Sequence, residues 1–289
     1  MEMNDRVIAV AINYFGADVT ERCVKSLLGQ VSSFIIVDNS DDSMEFSRLN
    51  ERLRSLADTV AGFDMTIIDA GDNLGFGRAA QLGIDVAKRA DSCAAILLIN
   101  NDAIACEGMV EGLVECLDRH ASPALLAPVS THGSVPGRLW YHKILGLIMT
   151  HPVPGAISYL NGACLLIPYA LAKADLFDPD FFMYGEDVLL SWRLVNQGVE
   201  LVVVEHACYA HAGGWSSRKG GVFYEYHMAR AHILLAKKLA TSAPERWLFL
   251  LGRILGLSAR AVARCARFRT LSPVRALVHA WLGLPPGQY

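Results

Sequence analysis

The stretch VIAVAINYFGADVTERCVKSLLGQVSSFIIVDN, residues 7–39, reads as strand, helix and strand. VIAVAIN (7–13) and FIIVDN (34–39) lack polar alternation, as strands buried on both faces do. Between them, residues 18–29 carry apolar side chains at helical spacing. MTIID (65–69) and AAILLIN (94–100) repeat the strand pattern, and 43–57 and 76–90 repeat the helix. This alternation predicts an α/β fold, a mostly parallel Rossmann-like sheet flanked by helices with right-handed crossovers. Ligands of such sheets bind beyond the carboxyl ends of the strands. Three strands end there in polar residues: Asn13-Tyr14, Asp38-Asn39 and Asn100-Asn101-Asp102.

Further along, the Gly/Pro/His-rich region 128–158 reads as a loop or flap with one short helix around 139–149. YLNGACLLI (159–167) is expected as a strand, a helix starts at 187, and VELVVVE (199–205) is another strand. The segment HACYAHAGGWSS (206–217) reads as a loop and 222–240 as a helix. Two units are expected, a nucleotide-binding and catalytic domain over 1–220 and a helical, basic, amphipathic segment over 221–289.

With 289 residues, 53% of them hydrophobic, the chain suffices for one large α/β domain or for one with an appendage. Seven scattered cysteines, odd in number and without a C-x-x-C pair, argue against a disulfide framework or a structural zinc site and point to a reducing, cytoplasmic compartment. The N-terminus has no basic region ahead of a short apolar run, so no signal peptide is expected, and no apolar stretch is long enough to span a membrane. The net charge of −3 conceals an asymmetry: residues 230–289 hold ten Lys and Arg against the single acid Glu245. There a capping-box pattern, Ser242 and Glu245, opens a long helix over 242–269. At 100° per residue, Arg246, Arg253, Arg260, Arg264 and Arg267 share an arc of about 60°, with Trp247 and leucines over much of the rest. A cationic stripe on an apolar helix suits an anionic membrane interface. The alternative is a helix packed on the body with a solvated arginine face. The apolar face and the acidic body argue against nucleic acid.

Several short constellations carry chemistry. In LLINNDAIACEG (97–108), Asn100, Asn101 and Asp102 follow a buried strand, where a carboxylate can hold Mg²⁺ or Mn²⁺ and leave positions for waters and a diphosphate. An Asx-rich turn would give the same letters. GDNLGFGRAAQLGI (71–84) matches a dinucleotide fingerprint with Gly75 and Arg78 at a helix start. That helix end suits a phosphate. The glycines follow the third strand instead of the first, which weakens the oxidoreductase reading that the fingerprint raises. His211 precedes two glycines after a short spacer and is a candidate metal ligand. In FFMYGEDVLLSWRL (181–194), Glu186 and Asp187 open a helix, where the macrodipole alone would favour them.

Taken in order, these pieces resemble the family-2 glycosyltransferases of GT-A fold, particularly the bacterial rhamnosyltransferase-like branch. The matching segments are VIAVAINYFGADVTERCVKSLLGQ, IIVDNSDD, DNLGFGRAAQLGI, LLINNDA, NGACLLIPYALAKADLFDPDFFMYGEDVLLSWRL and HAGGWSS, spanning about 7–217. The resemblance implies an inverting transfer of a sugar from a nucleotide-diphosphate donor, dTDP-rhamnose or a UDP-hexose, to a saccharide or polyprenyl-linked acceptor in polysaccharide synthesis. It implies a peripheral position on the inner face of the cytoplasmic membrane. It implies that Asp38 recognises the nucleobase with Asn13 beside it, and that Asn39, Asn101, Gly75 and Arg78 belong to the donor site. Asn100 and Asp102 match the ends of a D-x-D motif, with Asp102 on the metal and His211 completing that site. Asp187 matches the general base and Glu186 its acceptor-binding neighbour, while Phe181, Phe182, Tyr184 and Trp192 offer faces for a sugar ring. Three departures stand out: Asn100 for the first Asp, Gln81 for an Asn, and Leu189 for a second Asp. The last raises the alternative of a nucleotide-sugar-binding protein without transfer activity.

Overall fold

The computed structural model of the chain describes residues 6–59, 64–90, 93–132, 136–211 and 221–286, the side chains of His132 and His211 excepted. Strands β1 (Val7–Asn13), β2 (Ser33–Asp38), β3 (Asp64–Asp69) and β4 (Ala95–Asn100) alternate with helices α1 (Ala17–Leu27), α2 (Ser43–Ala57) and α3 (Phe76–Ala87). The strands pair in parallel in the order β3-β2-β1-β4. Their uniform hydrophobicity has a direct cause. Val7, Ala9 and Ala11 of β1 face the layer of α1, α2 and α4 (Met109–Arg119), whereas Ile8, Val10 and Ile12 face α3 and α6 (Glu186–Asn196). Each fully buried aliphatic side chain contributes about 1.5–3 kcal/mol. The chain winds from β1 out to β3 and then returns to the far side of β1. The crevice of the sheet therefore opens at the carboxyl ends of β1 and β4.

The sheet continues as β10 (Cys164–Pro168), β6 (Ala124–His132), β11 (Glu200–His211) and β5 (Ala103–Ala105), with β10 antiparallel to β4. Its first residue, Cys164, lies opposite Ile99 near the end of β4. The chain entering β10 is thus delivered to the crevice, and the short α5 (Tyr169–Ala172) leaves from the opposite edge. A second, three-stranded sheet holds β7 (Arg138–His142), β8 (Ile148–Met149) and β9 (Ala156–Leu160) in the order β8-β7-β9.

Here the structure corrects three expectations. The short helix expected at 139–149 is the β7–β8 hairpin, because Leu139 and Tyr141 alternate into the core at strand period. The single strand expected at 159–167 is two strands in different sheets, broken at Asn161-Gly162, where Asn161 Oδ1 accepts from Ala163 N at 3.1 Å. The strand expected to stop at 205 runs on to His211, past a register shift between Val204 and Cys208 that lets its end pair with β5.

Three helices close the molecule: α7 (Val222–Lys238), α8 (Ala243–Phe268) and α9 (Ser272–Leu282). Ser242 caps α8, accepting from Glu245 N at 3.3 Å, while Glu245 Oε2 accepts from Thr241 N at 2.7 Å. The arginine stripe of α8 does not face outward along its length. Arg253 is fully buried, donating to His232 O (3.1 Å), Ile144 O (2.5 Å) and Lys143 O (2.8 Å). Arg260 and Arg264 bind the buried Glu225 of α7, with Arg264 Nε at 2.6 Å from its Oε1. The inward face of α8 is thus cationic because β7–β8 and α7 present carbonyls and one buried acid to it. Only Arg246 and Arg267 of the stripe stand exposed.

Replacing Arg253 by Met leaves three main-chain carbonyls without their charged donor. At about 1–3 kcal/mol for each buried group left unsatisfied, Arg253→Met should lower unfolding stability by at least about 2 kcal/mol in urea denaturation. An unchanged midpoint would show that Arg253 does not hold α8 to the hairpin.

Candidate active site

The carboxyl ends of β1, β2 and β4, the turn before β10 and the start of α6 enclose a cavity of about 380 Å³, closed on one side by α7. Asn39, Asn100, Asn101, Asp102, Glu186 and Asp187 all line it. Residues about 85 positions apart in sequence thus meet because the turn 161–163 touches both groups. Asn100 N donates to Ala163 O at 2.8 Å, and Gly162 N donates to Asp187 Oδ2 at 3.3 Å. A Cβ on Gly162 would lie 3.2 Å from Asp187 Cβ, a tight contact that would push the carboxylate by a few tenths of an ångström.

Glu186 and Asp187 occupy the first turn of α6 after Gly185, which takes φ 84° as N-cap. The helix end holds Asp187 on both oxygens, since Oδ1 accepts from Val188 N at 2.8 Å and Oδ2 from Gly162 N. Burial nevertheless raises the Asp187 carboxyl above its ordinary range, and backbone N–H groups partly offset that. Glu186 is raised further, first by burial and then by the charge of Asp187. Its Oε2 is buried with no hydrogen-bond partner among the described residues. One carboxylate anchored by N–H groups beside one that keeps its proton is the arrangement that suits an acid–base pair.

The remaining candidates fall in different places. Asn13 and Asp38 do not line the cavity but lie beneath its floor, 0% and 1% exposed. Asp38 Oδ1 accepts from Asn13 Nδ2 and Ser40 Oγ, both at 2.8 Å, and burial pushes its carboxyl upward. A nucleobase would not meet its side chain without displacing that network; Asn39, the next residue, is the one that faces the cavity. The network extends through Thr20, which donates to Asn13 Oδ1 and accepts from Asn101 Nδ2, and so braces the β4 turn from below. Gly75 and Arg78, expected at a phosphate, instead tie down the loop ahead of Glu186. Phe76 N donates to Phe182 O at 2.9 Å, a Cβ on Gly75 would run into that same oxygen, and Arg78 Nε donates to Pro179 O at 3.1 Å. The backbone of His211 pairs with Ala103, beside the 100–102 turn, and its side chain lies outside the described residues.

Two departures from the family pattern have structural reasons. Leu189 is 3% exposed within an apolar cluster with Phe181, Leu235 and Phe249, so it does not reach the cavity. Gln81 Oε1 accepts from Leu176 N at 2.9 Å and pins the 176–177 segment. Of the aromatic residues near the pair, Tyr184 lines the cavity, whereas Phe181 is core and Trp192 packs against the core.

Sequence reasoning missed the opposite wall, made by Tyr141, Tyr159, Asn161 and His232. Tyr141 Oη and His232 Nδ1 are 2.8 Å apart, and burial keeps the imidazole neutral by lowering it to about 3. Tyr159 is raised by burial and then by the Asp187 charge. The sequence signal for this wall was the alternation of Leu139 and Tyr141 in RLWYH, within the short helix expected at 139–149.

A divalent cation fits the donor set on the β4 side. Among the described residues no three His, Cys, Asp or Glu side chains converge into a cage. The protein would supply the Asp102 carboxylate and amide oxygen at Asn100, leaving water and phosphate oxygens to fill the rest, as Mg²⁺ or Mn²⁺ accepts.

No family model matches the chain, and no curated protein matches it in sequence. Among solved structures it is similar to the mannosyltransferase PcManGT from Pyrobaculum calidifontis in complex with GDP-Man and Mn²⁺, at 13% identity and TM-score 0.59, over 96% of this chain and 86% of that one. It is similar to TarS of S. aureus at 14% identity and TM-score 0.53, over 82% of this chain but only 40% of TarS. Against residues 1–349 of TarS the identity is 14% and the TM-score 0.50, over 98% and 92% of the two chains. The chain therefore has a GT-A-like fold, a large curled sheet flanked by helices.

The raised Glu186 carboxyl has a consequence for stability. Its proton is retained in the folded chain where the unfolded chain has lost it, so the contribution is complete below pH 4.5 and is lost as the pH rises to about 8. Over that interval the melting temperature of the native chain should fall relative to that of Glu186→Gln. Parallel curves would place Glu186 in ordinary contact with water.

Proposed function

We propose that the chain is an inverting glycosyltransferase, moving a sugar from a nucleoside-diphosphate sugar to a saccharide acceptor at the inner face of a bacterial cytoplasmic membrane. The observation that carries this reading is that Asp102 and the Glu186–Asp187 pair line one cavity at the crevice of a GT-A-like sheet. Residues 1–220 would form the donor and catalytic unit, and α7 of the 221–289 segment adds a wall to the acceptor side. The donor assignment, rhamnose on dTDP or a hexose on UDP, rests on the resemblance to the rhamnosyltransferase-like branch. The GDP-mannose and Mn²⁺ of the mannosyltransferase neighbour support the donor class and the cation, and make GDP-mannose a third donor to test.

The chemistry follows from the residues. Asp187, ionised and oriented by Gly162 N and Val188 N, takes the proton of the acceptor hydroxyl. The acceptor oxygen then bonds to the anomeric carbon from the face opposite the diphosphate, whose bond to that carbon breaks with its electron pair. Glu186, kept protonated, donates a hydrogen bond to the acceptor without competing for the hydroxyl proton. Asp102, with Asn100 and His211, would hold Mg²⁺ or Mn²⁺, which when bound would supply positive charge against the departing diphosphate. Asn39 and Asn73, joined at 3.0 Å, line the donor end with amide groups.

Asp187→Asn should reduce transfer by about 100- to 10,000-fold, with nucleotide affinity nearly unchanged and only a modest fall in melting temperature, since the amide keeps one of the two acceptors that Gly162 N and Val188 N use. Full turnover by that variant would remove Asp187 from the role. Asp102→Ala should abolish the Mn²⁺ dependence of nucleoside-diphosphate binding in calorimetry; an unaltered titration would exclude Asp102 as ligand. Specific donor binding without transfer to any acceptor would favour a nucleotide-sugar-binding protein instead.

A further inference from the structure

Most of the exposed large hydrophobic side chains among the described residues lie on α8, on α9 or at the β7–β8 tip. On α8, Trp247, Leu251, Ile254, Leu255 and Val262 are 73, 54, 48, 66 and 65% exposed. At 100° per residue they share an arc of about 100°, on the side opposite the buried arginines. Leu271, the N-cap of α9, and Val274, Val278 and Leu282 within it recur at helical spacing and are likewise exposed. Both helices pack on α7 and on each other, so their unpartnered faces turn away from the sheet. Single exposed leucines are ordinary, but a contiguous apolar face of this kind marks an interaction site.

The face reaches the cavity. Leu145 and Leu147 at the hairpin tip are 46 and 50% exposed, and the tip backbone is seated against Gly252 and Gly256 of α8. A Cβ on Gly252 would run into Ile144 O, and one on Gly256 would lie 3.0 Å from Leu145 O. Arg253 fastens the same segment through Lys143 O and Ile144 O. Ile148, next along, is half exposed and also lines the cavity. The apolar surface and the cavity rim thus share a residue.

Charge identifies the occupant. Residues 119–174 and 246–289 contain no Asp or Glu beyond position 118 and before 175, or after Glu245. Arg269 and Arg275 are exposed and bracket Leu271 and Val274, whereas the exposed ends of the stripe, Arg246 and Arg267, lie on the other side of α8. A symmetric dimer through this face would set like charges against each other, whereas anionic headgroups around an apolar interior complement both features. No described helix is long and apolar enough to cross a membrane, so the fit is to the interface plane.

We propose that the outer face of α8 and α9, continued by the β7–β8 tip, docks on an anionic lipid bilayer with Ile148 and the cavity rim at the interface. Contact is made by the apolar face, not by the arginine stripe, whose central members are spent on holding the helix to the body. The docking stands on the surface alone. That it serves to admit an acceptor carried on an apolar chain rests on the glycosyltransferase reading.

The test is co-sedimentation of the full chain with phosphatidylcholine vesicles, with and without phosphatidylglycerol, at low and high salt. The chain should sediment with the anionic vesicles and far less with the neutral ones, and salt should weaken the binding. Leu251→Glu with Leu255→Glu should cut binding about tenfold or more without lowering the melting temperature. Leu271→Glu with Val278→Glu, on the other helix, should do the same and guards against misfolding of the first pair. Failure of the native chain to bind anionic vesicles, or equal binding by both folded variants, would overturn the proposal. So would a lipid-free dimer in light scattering that either variant dissolves. Nucleoside-diphosphate binding by the same samples separates the two readings. A chain that binds lipid but no nucleotide keeps the docking and loses the transferase, and the converse loses the docking alone.

Discussion

The turn Asn161-Gly162-Ala163 holds the cavity together. Its three residues bond to three elements: Asn161 N to Gly137 O at 2.9 Å, Gly162 N to the Asp187 carboxylate, and Ala163 O to Asn100 N. The first leads into β7, the second fixes the start of α6, and the third closes the end of β4. This convergence depends on β10 running antiparallel to β4. A parallel strand in that position would enter from the far edge of the sheet, and the preceding turn would lie a strand length away from Asn100. One reversal of strand direction therefore brings the carboxylate pair to the carboxyl edge, where the first half of the fold already opens its crevice.

The polar groups around the cavity follow a division of labour set by burial. Those beneath the floor, Asn13, Thr20, Asp38 and Glu45, are satisfied by one another, and Ala17 N also donates to Glu45 Oε1 at 2.9 Å. A buried polar group without a partner would cost about 1–3 kcal/mol, so this network fixes the strand ends that carry Asn39 and Asn100–Asp102. Glu186 departs from that rule, with one oxygen at the cavity wall left unpartnered among the described residues. Helix capping and the proposed base role are compatible: the N–H groups that orient Asp187 also favour its ionised form, while burial and the Asp187 charge raise the neighbouring acid.

Much of the first hundred residues was legible because β1, β2 and β4 are buried on both faces and the helices keep a 3.6-residue period; β3, expected to be buried likewise, is the edge of the sheet and half exposed. Helix 43–57 is found at Ser43–Ala57 as expected, with Asp42 capping it through Met44 N and Glu45 N. The second half was harder for physical reasons. In YLNGACLLI the apolar residues on both sides of Asn161-Gly162 belong to different sheets, so hydrophobicity alone joins what the turn divides. A helical wheel located the arginine arc correctly but carries no sign for inward and outward, and the deciding partner, Glu225, is 35 residues from Arg260. Asp102, Glu186 and Asp187 were legible as motifs that reach the cavity. Asp38 and Arg78 lie in motifs of their own yet turn from the cavity, Asp38 into the floor network and Arg78 to Pro179 O, because a motif fixes position along the chain and not the direction of a side chain. The Tyr141–His232 wall has no motif, being assembled from two segments 91 residues apart.

The central claim is that the β4 turn and the α6 carboxylates act on one bound molecule. The most direct measurement is a crystal structure of the full chain with a uridine or thymidine diphosphate and Mn²⁺. A diphosphate lying against Asn100–Asp102, with its outer phosphate directed toward Asp187, is the predicted result. A nucleotide bound outside this cavity, or one whose diphosphate faces away from Asp187, would contradict it.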